Sequence, residues 1–215
     1  SVTRQVADME KLISAEVDAI LISPKVTERL TPSVSKAFAA GIPTFVLDRD
    51  VSNDRYTQYI GGDNRKIGRA AGRKAIELLG GIGKAVGNVV EIWGGMASTP
   101  ANDRHKGFYE VITTEPGIII ITPPQDGDWK QDLAYGIMAE ALDSQTRIDL
   151  VYAHNDPMAY GAYLAARDVG REAGIAFLGI DGIPAEGVKW VHEGILDATF
   201  LYKTPGDEGI RQALR

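Results

Sequence analysis

The sequence predicts an α/β protein built from doubly wound parallel sheets. Three observations carry that expectation. Short apolar runs such as VDAILIS (17–23) and LVYA (150–153) read as strands buried on both faces, the habit of parallel sheets. Between such runs lie stretches with apolar residues at helical spacing. Strands alternating with helices imply parallel pairing through right-handed crossovers.

The chain opens on an amphipathic helical pattern, with Val6, Met9, Leu12 and Ile13 on one face. A strand over 17–23 and a helix over 31–40, ended by Gly41, come next, then a strand over 43–47 that closes on Asp48-Arg49-Asp50. A short strand over 56–61 runs into Gly61-Gly62-Asp63-Asn64, and a helix over 65–79 stops at Gly80-Gly81-Ile82-Gly83. A strand over 88–92 leads to Gly94-Gly95, a helix to 102–113, a strand to 118–122 and a helix to 129–142. After LVYA comes His154-Asn155-Asp156-Pro157, where Asp156 is placed as the N-cap and Pro157 as a first-turn proline. The remainder reads as strand 176–180, helix 185–192, strand 198–202 and helix 206–214. A chain that opens on a helix leading into a buried strand reads as a piece of something longer.

Composition excludes several function classes. The 215 residues carry 23 basic and 29 acidic side chains for a net charge of −6, with no basic block, so nucleic acid is not an expected partner. No apolar run approaches the ~20 residues of a membrane helix. With no cysteine, disulfides, thiolate chemistry and Cys-based zinc sites are absent. The three histidines form no recognisable metal set, so no metal or cofactor is expected. His105 and His192 read as solvent-facing helix residues, and His154 has no assigned role. A nucleophile elbow is missing. Gly81-Ile82-Gly83-Lys84 fails as a phosphate loop, because Leu78 stands where a glycine is required and Ala85 replaces Ser or Thr. Asp48 and Asp181 keep a paired-carboxylate reading open on composition alone.

The residues at the strand ends are more telling than any one motif. Asp48-Arg49, Asp63-Asn64, Gly94-Gly95 with Arg104 beyond, Asp126 to Trp129, Asn155-Asp156, Asp181 and Tyr202 all fall there. In parallel sheets those ends are where ligands bind. Asp, Asn, Arg and an indole suit a polyhydroxyl ligand. Carboxylates and amides pair with vicinal hydroxyls, Arg offers a planar fork, and Trp129 offers a stacking face. Each charge-assisted hydrogen bond contributes about 1.5–3 kcal/mol. Four or five of them, less ordering costs, match micromolar binding near about −8 kcal/mol.

The segments VDAILISP, IPTFVLDRD, YIGGDNRKIGRAAG, ASTPANDRHKGF, HNDPMAYGA, LGIDG and LDATF, in this order across essentially the whole chain, resemble the type I periplasmic sugar-binding proteins, the ribose- and galactose-binding group. The resemblance implies a two-lobed fold with a sugar held between lobes, hinge closure on the ligand and no catalysis. It implies an N-lobe over 1–62 lacking its first strand–helix–strand, a second lobe over 63–202, and an incomplete return to the N-lobe over 203–215. It also implies ligand roles for Asp48, Arg49, Arg104, Trp129, Asn155, Asp181 and Tyr202. Tyr202 falls where ribose-type members often place a glutamine, which leaves the sugar open. Three settings are implied: a periplasmic binding protein delivering a sugar to an ABC permease, the sugar-sensing domain of a membrane histidine kinase or hybrid sensor, and the effector domain of a LacI-type regulator. In the first two, the membrane is reached only through a partner or a flanking segment.

Overall fold

The computed structural model describes residues 1–214. Among them the chain divides into two compact units. The first comprises residues 1–63, 97–102 and the chain from Lys203 onward; the second comprises 64–96 and 103–202.

In the first unit, α1 (Val2–Ser14) begins at Ser1, whose hydroxyl accepts the Arg4 amide. β1 (Ile20–Ile22), α2 (Thr27–Ala39), β2 (Thr44–Leu47) and β3 (Gln58–Ile60) come next, and the three strands pair in parallel in the order β1-β2-β3. The α2 helix starts one turn earlier than the sequence predicts, with Pro32 inside it. The Thr31 hydroxyl bonds the Thr27 carbonyl within that extra turn. Met9, Ile20, Ile22, Leu30, Val34 and Val46 form the core of this unit.

The second unit contains α3 (Asn64–Leu78), β4 (Val86–Trp93), most of α4 (Thr99–Ile112), β5 (Gly117–Ile120), β6 (Gln125–Asp126), α5 (Gln131–Ser144), β7 (Leu150–Ala153), α6 (Asp156–Asp168), β8 (Ala176–Asp181), α7 (Lys189–His192) and β9 (Ala198–Leu201). Chain order ends with α8 (Gly206–Ala213), in the first unit. The second sheet runs β5-β4-β7-β8-β9, with β6 paired to β4, and every described pairing is parallel.

Alternation along the strands splits its core in two. Val90, Ile92, Val151 and Ala153 face one way, into a cluster with Met138 of α5 and Met158 and Ala162 of α6. Val89, Leu150, Tyr152, Leu178 and Ile180 face the other way, against Ala71 and Ala75 of α3 and Phe108 of α4. Phe108 and Tyr152 stack with centroids 4.1 Å apart. The predicted helix over 185–192 departs from expectation. Its first turn, Pro184–Val188, is a π-helical turn before α7 begins.

Helices α3 and α4 meet backbone to backbone. A methyl group at Gly68 would lie 2.2 Å from the Arg104 carbonyl oxygen, and one at Gly107 would lie 2.1 Å from the Arg65 carbonyl oxygen. Only hydrogen at both positions permits this approach, and it is the approach that seats Arg104. Gly68→Ala and Gly107→Ala are each expected to destabilise the protein by about 1–3 kcal/mol, lowering the melting temperature by roughly 2–10 °C. Gly136→Ala in α5, where a methyl would meet nothing within 4 Å, is expected to raise it. Differential scanning calorimetry of the three variants checks this.

Candidate functional site

Arg104 is the hub of the second unit. It lies one turn into α4 and is only 3% exposed. A buried guanidinium needs partners, because an unpaired charge away from water costs several kcal/mol. Its Nε donates to Asn64 Oδ1 at 2.9 Å, and Nη1 donates to the His154 carbonyl at the end of β7. Asp181 Oδ1, at the end of β8, lies 3.9 Å from Nη1 with its side chain about a quarter exposed. Two rings flank the cation: Trp129 at 5.3 Å and Tyr202 at 5.0 Å from centroid to Cζ.

Each ring has a local reason for its place. Trp129 and Asp128 both adopt left-handed backbone, with φ of 64° and 43°. That turn lays the indole against Gly94 and Gly95, where a Cβ would come within 2.4 Å and 2.7 Å of it. Tyr202 directly follows β9, and its amide donates to the Asp181 carbonyl at 3.0 Å. Arg104, Trp129, Asp181 and Tyr202 are therefore brought together, and Asn155 joins them by donating from Nδ2 to the Trp129 carbonyl at 3.2 Å.

Asp48 and Arg49 lie in the first unit, directly after β2. Asp48 has φ 64°, its amide donates to the Ile60 carbonyl, and its own carbonyl accepts the Tyr59 hydroxyl. Arg49 Nε lies 3.8 Å from Asp48 Oδ2, and Nη1 donates to the Lys25 carbonyl at 3.3 Å. Among the described residues, the non-glycine positions with positive φ are Glu16, Asp48, Asp128, Trp129 and Asp181. Three of those five are predicted ligand residues. Such strained backbone concentrates at functional sites.

Two assignments from the sequence are corrected. The N-cap of α6 is Asn155, whose Oδ1 accepts the Met158 amide at 2.9 Å, and not Asp156. Asp156 is the first helical residue, fully buried, and its carboxylate turns inward to the Gly182 amide (2.9 Å) and the Thr199 hydroxyl (2.6 Å). Pro157 thus stands at the second helical position, and the cap falls on the residue two before it. His105 is likewise not a free surface residue. Its Nδ1 lies 2.9 Å from Glu91 Oε2, and its ring stacks on Trp93 at 4.2 Å.

Glu91 is not among the residues that the sequence pattern singles out, although a lone acid in the apolar run NVVEIW is a visible signal. It is 2% exposed and bridges His105 and the fully buried His154, whose Nε2 lies 3.1 Å from Oε1. Burial pushes the Glu91 carboxyl up, but the bonds from His105 and His154 outweigh it and hold Glu91 below the usual carboxylate range. Burial keeps His154 below the usual imidazole value, against the pull of Glu91. The His154 backbone carbonyl is the acceptor that holds Arg104. Among the described residues no group of His, Cys, Asp and Glu is arranged to hold a metal ion.

The chain matches the periplasmic binding protein domain family over residues 1–214. It belongs to that family, and its fold is the two-lobed α/β fold of the type I periplasmic sugar-binding proteins. It is 33% identical over 188 residues to the galactofuranose-binding protein YtfQ of Escherichia coli (strain K12), covering 84% of this chain and 58% of that protein. It is 28% identical over 212 residues to the ribose import binding protein RbsB of Escherichia coli (strain K12), covering 98% of this chain and 69% of that protein. Among solved structures, the fructose binding periplasmic domain of a hybrid two component system superposes with a TM-score of 0.94 at 39% identity, covering 100% of this chain and 70% of that one. This chain therefore spans little more than half the length of the first of these relatives.

Burial pushes the Asp156 carboxyl up to about 6 from an ordinary 3.8, with the Thr199 and Gly182 bonds pulling the other way. For an acid raised on folding, the contribution to stability is complete below the unfolded value of 3.8 and is lost as pH rises through 6. The parent is therefore expected to lose about 1 kcal/mol relative to Asp156→Asn between pH 5 and pH 8. Urea denaturation of both proteins at the two pH values checks the sign.

Proposed function

We propose that this chain captures a monosaccharide-like sugar outside the cytoplasm and passes it to an ABC importer, acting as a binding protein and not as an enzyme. One observation carries the reading: a buried arginine, Arg104, flanked by Trp129 and Tyr202 and set 3.9 Å from the part-exposed carboxylate of Asp181. An aromatic face gives a sugar ring an apolar surface. A paired guanidinium and carboxylate give its hydroxyls a donor and an acceptor already held in place. Asn155 holds the Trp129 backbone carbonyl. The family supports the ligand class, since its members named above bind ribose, galactofuranose and fructose. The periplasm as location rests on the same kinship. Among the described residues no helix is long and apolar enough to cross a membrane.

A second setting is favoured by one specific finding. The solved relative at 39% identity over the full chain is a periplasmic domain of a hybrid two component system, so sensing through a membrane kinase is the competing reading for what happens after capture. A downstream membrane span and kinase domain in the full-length protein selects sensing, and a gene neighbour encoding an ABC permease selects transport.

Arg104→Ala and Asp181→Ala are each expected to weaken sugar binding at least about tenfold, because each leaves ligand hydroxyls unpaired. Calorimetric titration with D-ribose, D-fructose and D-galactose measures this, and parent-like affinity in both variants defeats the assignment. Trp129 fluorescence is expected to change on adding the sugar that binds and to stay flat in Trp129→Phe.

A further inference from the structure

Asp156 is a buried carboxylate that the ligand reading does not use. It is fully buried at the first position of α6. It lies in a slot made by two glycines. A Cβ at Gly179 would lie 2.2 Å from Oδ1, and one at Gly187 would lie 1.9 Å from Oδ2. The sequence thus reserves space for this side chain from β8 on one side and from the π-helical turn on the other. Inside the slot, Oδ1 accepts the Thr199 hydroxyl at 2.6 Å and Oδ2 accepts the Gly182 amide at 2.9 Å. The Gly182 amide also lies 3.1 Å from Thr199 Oγ1. One carboxylate therefore ties the start of α6, the end of β8 and the middle of β9 into a closed triangle.

That triangle sits immediately behind a strained turn. Asp181 has φ 125°, a conformation that L-residues rarely adopt, and Gly182 comes next with φ 65°. A positive φ at Asp181 persists only when its surroundings over-determine it. The Tyr202 amide holds the Asp181 carbonyl from one side, and Asp156 holds the next amide from the other. The charged groups that act on Asp156 are Glu186 from the π-helical turn and Arg104 from α4.

We propose that Asp156 is a positioning residue for ligand binding: by gripping the Gly182 amide and the Thr199 hydroxyl, it fixes the Asp181–Gly182 turn and so sets the Asp181 carboxylate in place beside Arg104. The inference rests on the reading of Asp181 as a sugar ligand. It assigns affinity to a residue that cannot reach the ligand itself. The glycines at 179 and 187 belong to the same device, since any side chain there would displace the carboxylate.

Two measurements test it, one of which needs no sugar. Amide hydrogen exchange of Gly182, measured by NMR, is expected to speed up roughly tenfold or more in Asp156→Ala, because a buried acceptor has been removed. Affinity for whichever of D-ribose, D-fructose or D-galactose binds the parent is expected to fall by a similar factor. Asp156→Asn, whose amide oxygen can still accept from Gly182, is expected to restore both to within about threefold. Should Asp156→Ala fail to fold, Thr199→Val removes the other corner of the triangle and is expected to weaken affinity at least about threefold. Faster exchange with parent-like affinity makes Asp156 merely structural and overturns the proposal, as does unchanged Gly182 exchange. A parent that binds none of the three sugars defeats the ligand reading alone, and the exchange data then still decide whether Asp156 holds the turn.

Discussion

The constraint on which the second unit depends is the burial of the Arg104 guanidinium. A charge at 3% exposure is tolerable only if the fold supplies acceptors in fixed positions, and here they come from three separate elements: Asn64 at the start of α3, the His154 carbonyl after β7, and Asp181 after β8. Meeting that demand dictates the rest. Helices α3 and α4 must touch at Gly68 and Gly107 so that Asn64 reaches Nε. The Asp128-Trp129 turn must be left-handed so that the indole lies on Gly94 and Gly95 and covers the cation. The glycines and the strained residues are consequences of placing one arginine.

Behind the arginine lie two buried acids with opposite electrostatic solutions. Glu91 is held below the usual carboxylate range because two imidazoles face it, His105 from the helix and His154 from the strand end. Asp156 is served instead by a hydroxyl and a backbone amide, and burial leaves its carboxyl at about 6. One acid thus anchors the strand end that offers its carbonyl to Arg104. The other anchors the turn that presents Asp181. Glu91 and Asp156 are themselves buried, where hydrogen bonds are stronger and less forgiving of loss.

Much of the architecture is legible in the residues. Val89-Val90-Glu91-Ile92-Trp93 and Leu150-Val151-Tyr152-Ala153 lie in strands because a strand covered on both faces needs apolar side chains at nearly every position, and few other structures do. Helix α6 is legible from Pro157 and its small residues. The fine placement of polar groups is not. Asn155 and Asp156 are chemically alike as caps, and adjacency to Pro157 does not say which one turns outward. The turn at 184–188 reads as ordinary helix until the Asp156 carboxylate is seen pressing on Gly187.

By itself, then, the sequence determined the alternation of strands and helices, the parallel pairing, and the row of polar residues at the strands' carboxyl ends, because these derive from local periodicity and burial. Only the tertiary structure decided which polar residue does what. It joined Arg104 to Asn64, forty positions away, and to Asp181, and it joined Asp156 to Gly182 and Thr199 and Glu91 to His154. These are contacts between elements far apart in the chain. Hydrogen-bond partnership over such separations is set by where the strands end in space, and no local pattern encodes it.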